Sequence, residues 1–230
     1  MARRGFISFI VMALACCSVS TATVTDLTGG GTVSLSDVTG VNSGNSILVG
    51  DKLFSGFTFN ATGNDPVNLL GAGNITLMGR SNSIGYGLRI QGGFAALGTQ
   101  NFDYVVDYTV TVQDPSFLIS DLHMVYNGFV VGPGSTSVSE TVTTNGFFVD
   151  QINVFDPPNT SMQADLFLNT PTTSLDISKD INVDGNGTGG QGHITFIDQI
   201  FSQQAIPEPS SMVLVIAGLV GLGAWHRRRS

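Results

Sequence analysis

From Phe102 to Val112 the chain puts an apolar side chain at every second position: Phe102, Tyr104, Val106, Tyr108, Val110 and Val112. Asp103, Asp107, Thr109, Thr111 and Gln113 fall mostly on the opposite face. A period of two is that of a long antiparallel strand buried on one side. The same alternation recurs in Ile84, Tyr86, Leu88 and Ile90, in Met162, Ala164, Leu166 and Leu168, and in Leu175, Ile177, Ile181 and Val183. Between Phe117, Ile119 and Leu122, Met124, Tyr126 the phase slips by one, which predicts a β-bulge.

Turn-forming residues separate these runs: Gly29 to Gly31, Asn42 to Asn45, Gly63 to Pro66, Gly132 to Ser135, Asp156 to Asn159 and Asp184 to Gly192. No interior segment sustains a 3.6-residue period, and no repeat of about 40 residues suggests a propeller. The expected fold is all-β, an antiparallel two-sheet sandwich or jelly roll over residues 23–206. Phe54, Phe57, Phe59, Phe147, Phe148, Phe196 and Phe201 are read as inward-facing core.

The two ends read as addresses. Arg3 and Arg4, an apolar run from Phe6 to Cys17, and small residues at Ser20, Thr21 and Ala22 predict a signal peptide over residues 1–22. The Arg3-Arg4 pair also looks like a twin-arginine motif, although the minimal n-region favours the general secretory route. Cys16 and Cys17 are the only cysteines and lie in this segment, so the exported chain would hold no disulfide and no thiolate. At the other end Pro207, Glu208 and Pro209 precede an uncharged apolar run, Met212 to Trp225, and then Arg227, Arg228 and Arg229. As a helix the run is about 21 Å long, a marginal span of a bilayer core of about 30 Å. The arginines would stay in the cytoplasm and the preceding chain outside.

This order of parts resembles the PEP-CTERM sorting signal of Gram-negative and related bacteria, a Pro-Glu-Pro motif followed by a transmembrane helix and an Arg-rich end. The resemblance covers residues 207–230, with the helix at 212–225. It implies a partner, an exosortase-type membrane protease or transpeptidase, in bacteria that make extracellular polysaccharide. It also implies passage through the inner membrane to the cell surface or beyond.

The formal charge of the whole chain is −8. Residues 23–206 have Lys52, Arg80, Arg89 and Lys179 as their only basic side chains among many aspartates, which argues against nucleic acid or anionic lipid as a partner. His123 and His193 lie in no motif with a nucleophile or a metal-ligand spacing. Asp103 and Asp107 read as solubilising charges, and no catalytic residue is assigned. Asp180, Asn182 and Asp184, with Gly185 sixth, match the first half of a calcium loop, but Gln191 stands where a bidentate glutamate belongs. A strand entering a glycine-rich turn reads the same residues more simply. The sequons at Asn60, Asn74, Asn159 and Asn186 follow from a composition rich in Asn, Ser and Thr. The expected function is a non-enzymatic structural or adhesive role in envelope or biofilm. The competing expectation is a carbohydrate-binding module for extracellular polysaccharide, which exposed aromatics on a sheet face would mark. A secreted hydrolase, needing opposed acids across a cleft, is a more distant third.

Overall fold

The computed structural model describes residues 22–157 and 160–206, and its regular structure is β-strand with three short 3-10 turns. In chain order the strands are β1 (Val24–Asp26), β2 (Thr32–Ser34), β3 (Ser46–Val49), β4 (Lys52–Gly63), β5 (Thr76–Ser81), β6 (Tyr86–Leu97) and β7 (Asn101–Val112). They continue as β8 (Phe117–Val131), β9 (Ser135–Thr144), β10 (Phe147–Asp156), β11 (Gln163–Thr172), β12 (Ser174–Asp184) and β13 (Gln191–Ala205). Seven form one sheet in the order β1-β3-β4-β7-β12-β9-β10, and six form the other in the order β11-β8-β13-β6-β5-β2.

Within this arrangement the eight consecutive strands β6 to β13 make a jelly roll. Four alternate through β6-β13-β8-β11 and four through β7-β12-β9-β10, so sequence neighbours sit in opposite or adjacent layers and the last strands close against the first. β4, β3 and β1 widen one sheet, and β5 and β2 widen the other. The ladders are antiparallel except β1 with β3, which is parallel and departs from the all-antiparallel expectation.

Burial follows the alternation. The β7 row from Phe102 to Val112 faces inward, as do Leu175, Ile177, Ile181 and Val183 of β12. Ile119, Leu122, Met124 and Tyr126 of β8 are all buried, and the ladder to β13 shifts between Ser202 and Gln203, opposite the extra residue Ser120. The expected bulge is therefore present. A second bulge explains how Phe54 and Phe57, three apart, both point inward. The β4–β7 register shifts between Ser55 and Thr58, where Gly56 takes a φ of 65° that a side chain would strain.

Three readings need correction. Phe147 and Phe148 are exposed, at 75% and 66%, because they leave an Asn145-Gly146 turn onto the edge strand β10, where no further strand covers them. Phe196 lies on the outer side of β13 beneath an arginine rather than between the sheets. Ile84 and Met162 fall just outside their strands and are exposed, which leaves Leu88 and Ile90, and Leu166, as the buried parts of those rows. Two lysines and one glutamate, Lys52, Lys179 and Glu140, are instead among the fully buried residues.

Candidate functional site

The outer face of the six-stranded sheet carries an exposed aromatic ring beside neutral polar groups. β13 is central there, and pairing brings β8 and β6 to either side of it: His193 lies opposite Phe129 of β8 and Ala95 of β6. The Phe129 and His193 rings lie 4.9 Å apart at a 32° tilt, and Phe129 is 48% exposed. Beside them runs a shallow groove of about 310 Å³, lined by Asn74, Thr76, Gln91, Gly92, Gly93, His193 and Thr195. Its floor is low at Gly93, where a Cβ would meet no heavy atom within 4 Å. Its wall is built by a bulge: both ladders of β13 slip between Ile194 and Phe196, which pushes Thr195 out toward His193, with Oγ1 3.5 Å from Nδ1.

Two hydroxyls, two carboxamides and an imidazole face this groove, and neither a carboxylate nor a cation lines it. Such a set donates and accepts hydrogen bonds without selecting a charge, while the Phe129 ring offers an apolar face alongside. The nearest charges are satisfied among themselves. Arg89 grips Asp198 with two parallel bonds, Nε to Oδ1 at 2.6 Å and Nη2 to Oδ2 at 2.7 Å, which pushes the guanidinium above its ordinary value. The same guanidinium covers the Phe196 ring at 3.7 Å, which removes that ring from any ligand.

His123 lies elsewhere on this face, in a constellation that single-sequence spacing could not disclose. Its Nδ1 is 2.7 Å from Asp165 of the edge strand β11, and its Nε2 is 2.9 Å from Asp121 and 3.1 Å from Ser202. The residues come from three strands whose register makes them neighbours. A serine hydrolase needs the Nε2 lone pair free to take the serine proton. Here Asp121 faces that nitrogen too, so the ring is flanked by two carboxylates and links β11 to the rest of the sheet.

The outer face of the seven-stranded sheet is acidic and rich in hydroxyls. Thr58 donates to Asp107 at 2.6 Å, and Asp103 lies against Asp180, with its Oδ1 buried and unpartnered. Desolvation first, then the shared hydrogen bond and repulsion from Asp103, push the Asp180 carboxyl up to about 6. The calcium half-loop does not curl. Asp180, Asn182 and Asp184 are alternate residues of β12, paired one by one with β7 and β9. Alternate strand residues lie about 6.6 Å apart along the backbone, so the three are strung over about 13 Å of strand instead of being wrapped around one point as a calcium loop wraps its ligands. Asp184 accepts instead from the Asn186 backbone at 2.6 Å and from the Asn101 amide at 3.2 Å. Among the described residues, no three His, Cys, Asp or Glu side chains converge to hold a metal ion.

Residues 1–21, the sorting residues Pro207, Glu208 and Pro209, the apolar stretch 212–225 and Arg227, Arg228 and Arg229 lie outside the described residues. Among those described, no helix is long and apolar enough to cross a membrane. The last described residue, Ile206, donates its backbone N–H to Ser116 at 2.7 Å.

The family model of the PEP-CTERM protein-sorting motif matches residues 205–229. The chain thus carries that motif at its C-terminal end. No curated protein matches the chain. Among solved structures, it is similar to TmCBM61 in complex with beta-1,4-galactotriose, with 14% identity, 64% of this chain and 88% of that chain covered, and a TM-score of 0.27. It is also similar to the enzymatically active domain of tailspike protein 4 of bacteriophage CBA120, with 16% identity, 63% and 19% covered, and a TM-score of 0.26. A third is the family 11 carbohydrate-binding module from Clostridium thermocellum in complex with a beta-1,3-1,4-mixed-linked tetrasaccharide, with 10% identity, 66% and 89% covered, and a TM-score of 0.19. At such TM-scores these likenesses carry no argument about function.

Proposed function

We propose that this chain, sorted for export by its PEP-CTERM motif, is an adhesive surface or matrix protein that holds a neutral extracellular polysaccharide on the outer face of its six-stranded sheet. An exosortase-type membrane enzyme processes it at residues 207–209, and the released domain works outside the inner membrane. The observation that carries the adhesive part is the half-exposed Phe129–His193 pair beside a groove of amides and hydroxyls without a charge. A pyranose has the matching chemistry, an apolar face of C–H groups and a rim of neutral hydroxyls.

The chain is read as non-catalytic. His123 has a carboxylate on each ring nitrogen, and the uncharged groove presents no opposed pair of acids. The test is electrophoresis of the mature protein from its native host through gels containing that host's neutral extracellular polysaccharide, with an acidic polysaccharide as comparison. Retardation only in the neutral gel supports the reading. Equal mobility in every gel overturns sugar binding and leaves a purely structural surface protein.

A further inference from the structure

The chain has two lysines, and the sandwich buries both completely. Lysine is among the residues least often found fully buried. Lys179 sits on the inner face of β12, directly opposite Glu140 of β9 in the ladder. Its Nζ contacts the Glu140 carboxyl, lies 2.6 Å from Oε1 of Gln199, and rests 3.5 Å from the Met124 sulfur. Gln199 belongs to β13 of the other sheet and is 1% exposed. The trio therefore bridges the two layers inside the sandwich, out of reach of bulk solvent.

Two atoms of the trio have no partner: Nε2 of Gln199 and Oε1 of Glu140. Leaving buried polar atoms unpaired is costly, and so is burying an ion pair without full hydrogen bonding. We propose that this trio is a reaction centre in which Lys179 and Gln199 condense into an amide bond that joins the two sheets covalently.

The chemistry closes within the three side chains. Moving one proton from the Lys179 ammonium to the Glu140 carboxylate leaves a neutral amine and a neutral acid, and so removes both buried charges. Burial itself pushes the Lys179 ammonium well below its ordinary value. The free electron pair of Nζ attacks Cδ of Gln199, whose carbonyl is already at hydrogen-bond distance, and the protonated Glu140 stabilises the oxygen as it gains charge. The new bond is Nζ–Cδ. The bond that breaks is Cδ–Nε2, and Nε2 departs as ammonia after taking a proton passed from Nζ through Glu140. Glu140 ends as it began the attack, a neutral acid. No oxidant or other reactant is needed. The orphaned amide nitrogen leaves the core.

The same grouping appears once more. Lys52 of β4 contacts the Gln203 carboxamide of β13 and lies 2.7 Å from Asp51, but here Asp51 is 18% exposed and water has access. Both lysines thus meet glutamines four residues apart on one strand. An exported domain without cysteine in residues 23–206 would gain from such a bond the constraint that a disulfide gives other secreted domains.

The experiment is mass spectrometry of the full-length chain and of its processed form from the host, intact and after trypsin. An amide at Lys179 lowers the mass by about 17 Da, the mass of ammonia, and blocks cleavage after residue 179. The peptide starting at Ile90 then runs through Lys179 and contains Gln199. Cleavage after Lys52 reports on the second grouping separately. An intact mass equal to the sequence, with cleavage after Lys179, overturns the proposal. A loss of about 18 Da, the mass of water, overturns it as well, because the carbonyl would then come from Glu140. Glu140→Gln should restore cleavage after Lys179, and a variant still linked would overturn the role given to Glu140. The measurement on the unaltered chain stands even where a variant fails to fold.

Discussion

Replacing Phe129 by alanine is the sharpest probe of the outer-face groove, because about half of the residue is open to a ligand. Phe129 is 48% exposed. With about 200 Å² for a whole phenylalanine side chain, about 100 Å² of ring is open to a ligand. A pyranose face resting on half of that removes about 50 Å² from water, worth about 1.2 kcal/mol at 25 cal/mol per Å². Phe129→Ala should then weaken binding about sevenfold, with full coverage setting a ceiling near 2.5 kcal/mol. The folding cost is the stacking on His193, about 1 kcal/mol. Affinity electrophoresis over a series of polysaccharide concentrations reads the change, and urea unfolding of the same preparation checks the fold. Two substitutions set the scale. Phe196→Ala removes a ring already capped by Arg89 and should leave binding intact. Phe148→Ala removes a still more exposed ring on the far sheet and should do the same. If Phe129→Ala binds like the unaltered domain, or if Phe148→Ala loses as much, the groove is not where the polysaccharide sits.

Three further outcomes are expected. Because the folded-state pKa of Asp180 is about 6 against an ordinary 3.8, the folded form holds this proton more tightly than the unfolded one, so the pair's contribution is intact below about pH 4 and is lost as pH rises through 6. Asp180→Asn should therefore raise Tm at pH 7 and leave it unchanged at pH 4, and a rise at both values would point to some other cause. About 5 mM calcium should leave the Tm of the purified domain unchanged, since Asp180, Asn182 and Asp184 lie along a paired strand, and a rise abolished by Asp184→Ala would reverse that reading. In a host with an exosortase, alanines at Pro207, Glu208 and Pro209 should leave the chain full-length in the inner membrane while the unaltered chain is cut and released, and equal release of both in cell fractions would reduce the segment to a plain anchor.

The two-sheet architecture was legible because the alternation is local. A row such as Phe102 to Val112 needs nothing but its own residues to declare one buried face, and the slip between Ile119 and Leu122 declares its own bulge. Phe147 and Phe148 misled for the complementary reason. Their hydrophobicity is local, but whether a strand lies beyond β10 to cover them is a fact of topology. His123 is similar, since Asp165 and Ser202 come beside it only through the register of β8 with β11 and β13.

The buried lysine obeys the same alternation. Leu175, Ile177, Ile181 and Val183 face the core, so the period of two places residue 179 between them on the same side, and Val138 and Val142 bracket Glu140 in the same way. An inward lysine in one strand and an inward glutamate in another, in a domain with so few of either, can be inferred from alternation alone. Strand pairing then decides whether they meet, and β12 beside β9 puts them opposite each other. What alternation cannot supply is the third member, because Gln199 approaches from the other sheet across the core. That approach turns two misplaced charges into an amine, an acid and a carboxamide within reach of one another, so the chemistry at this site depends on the stacking of the layers and not on any motif along the chain.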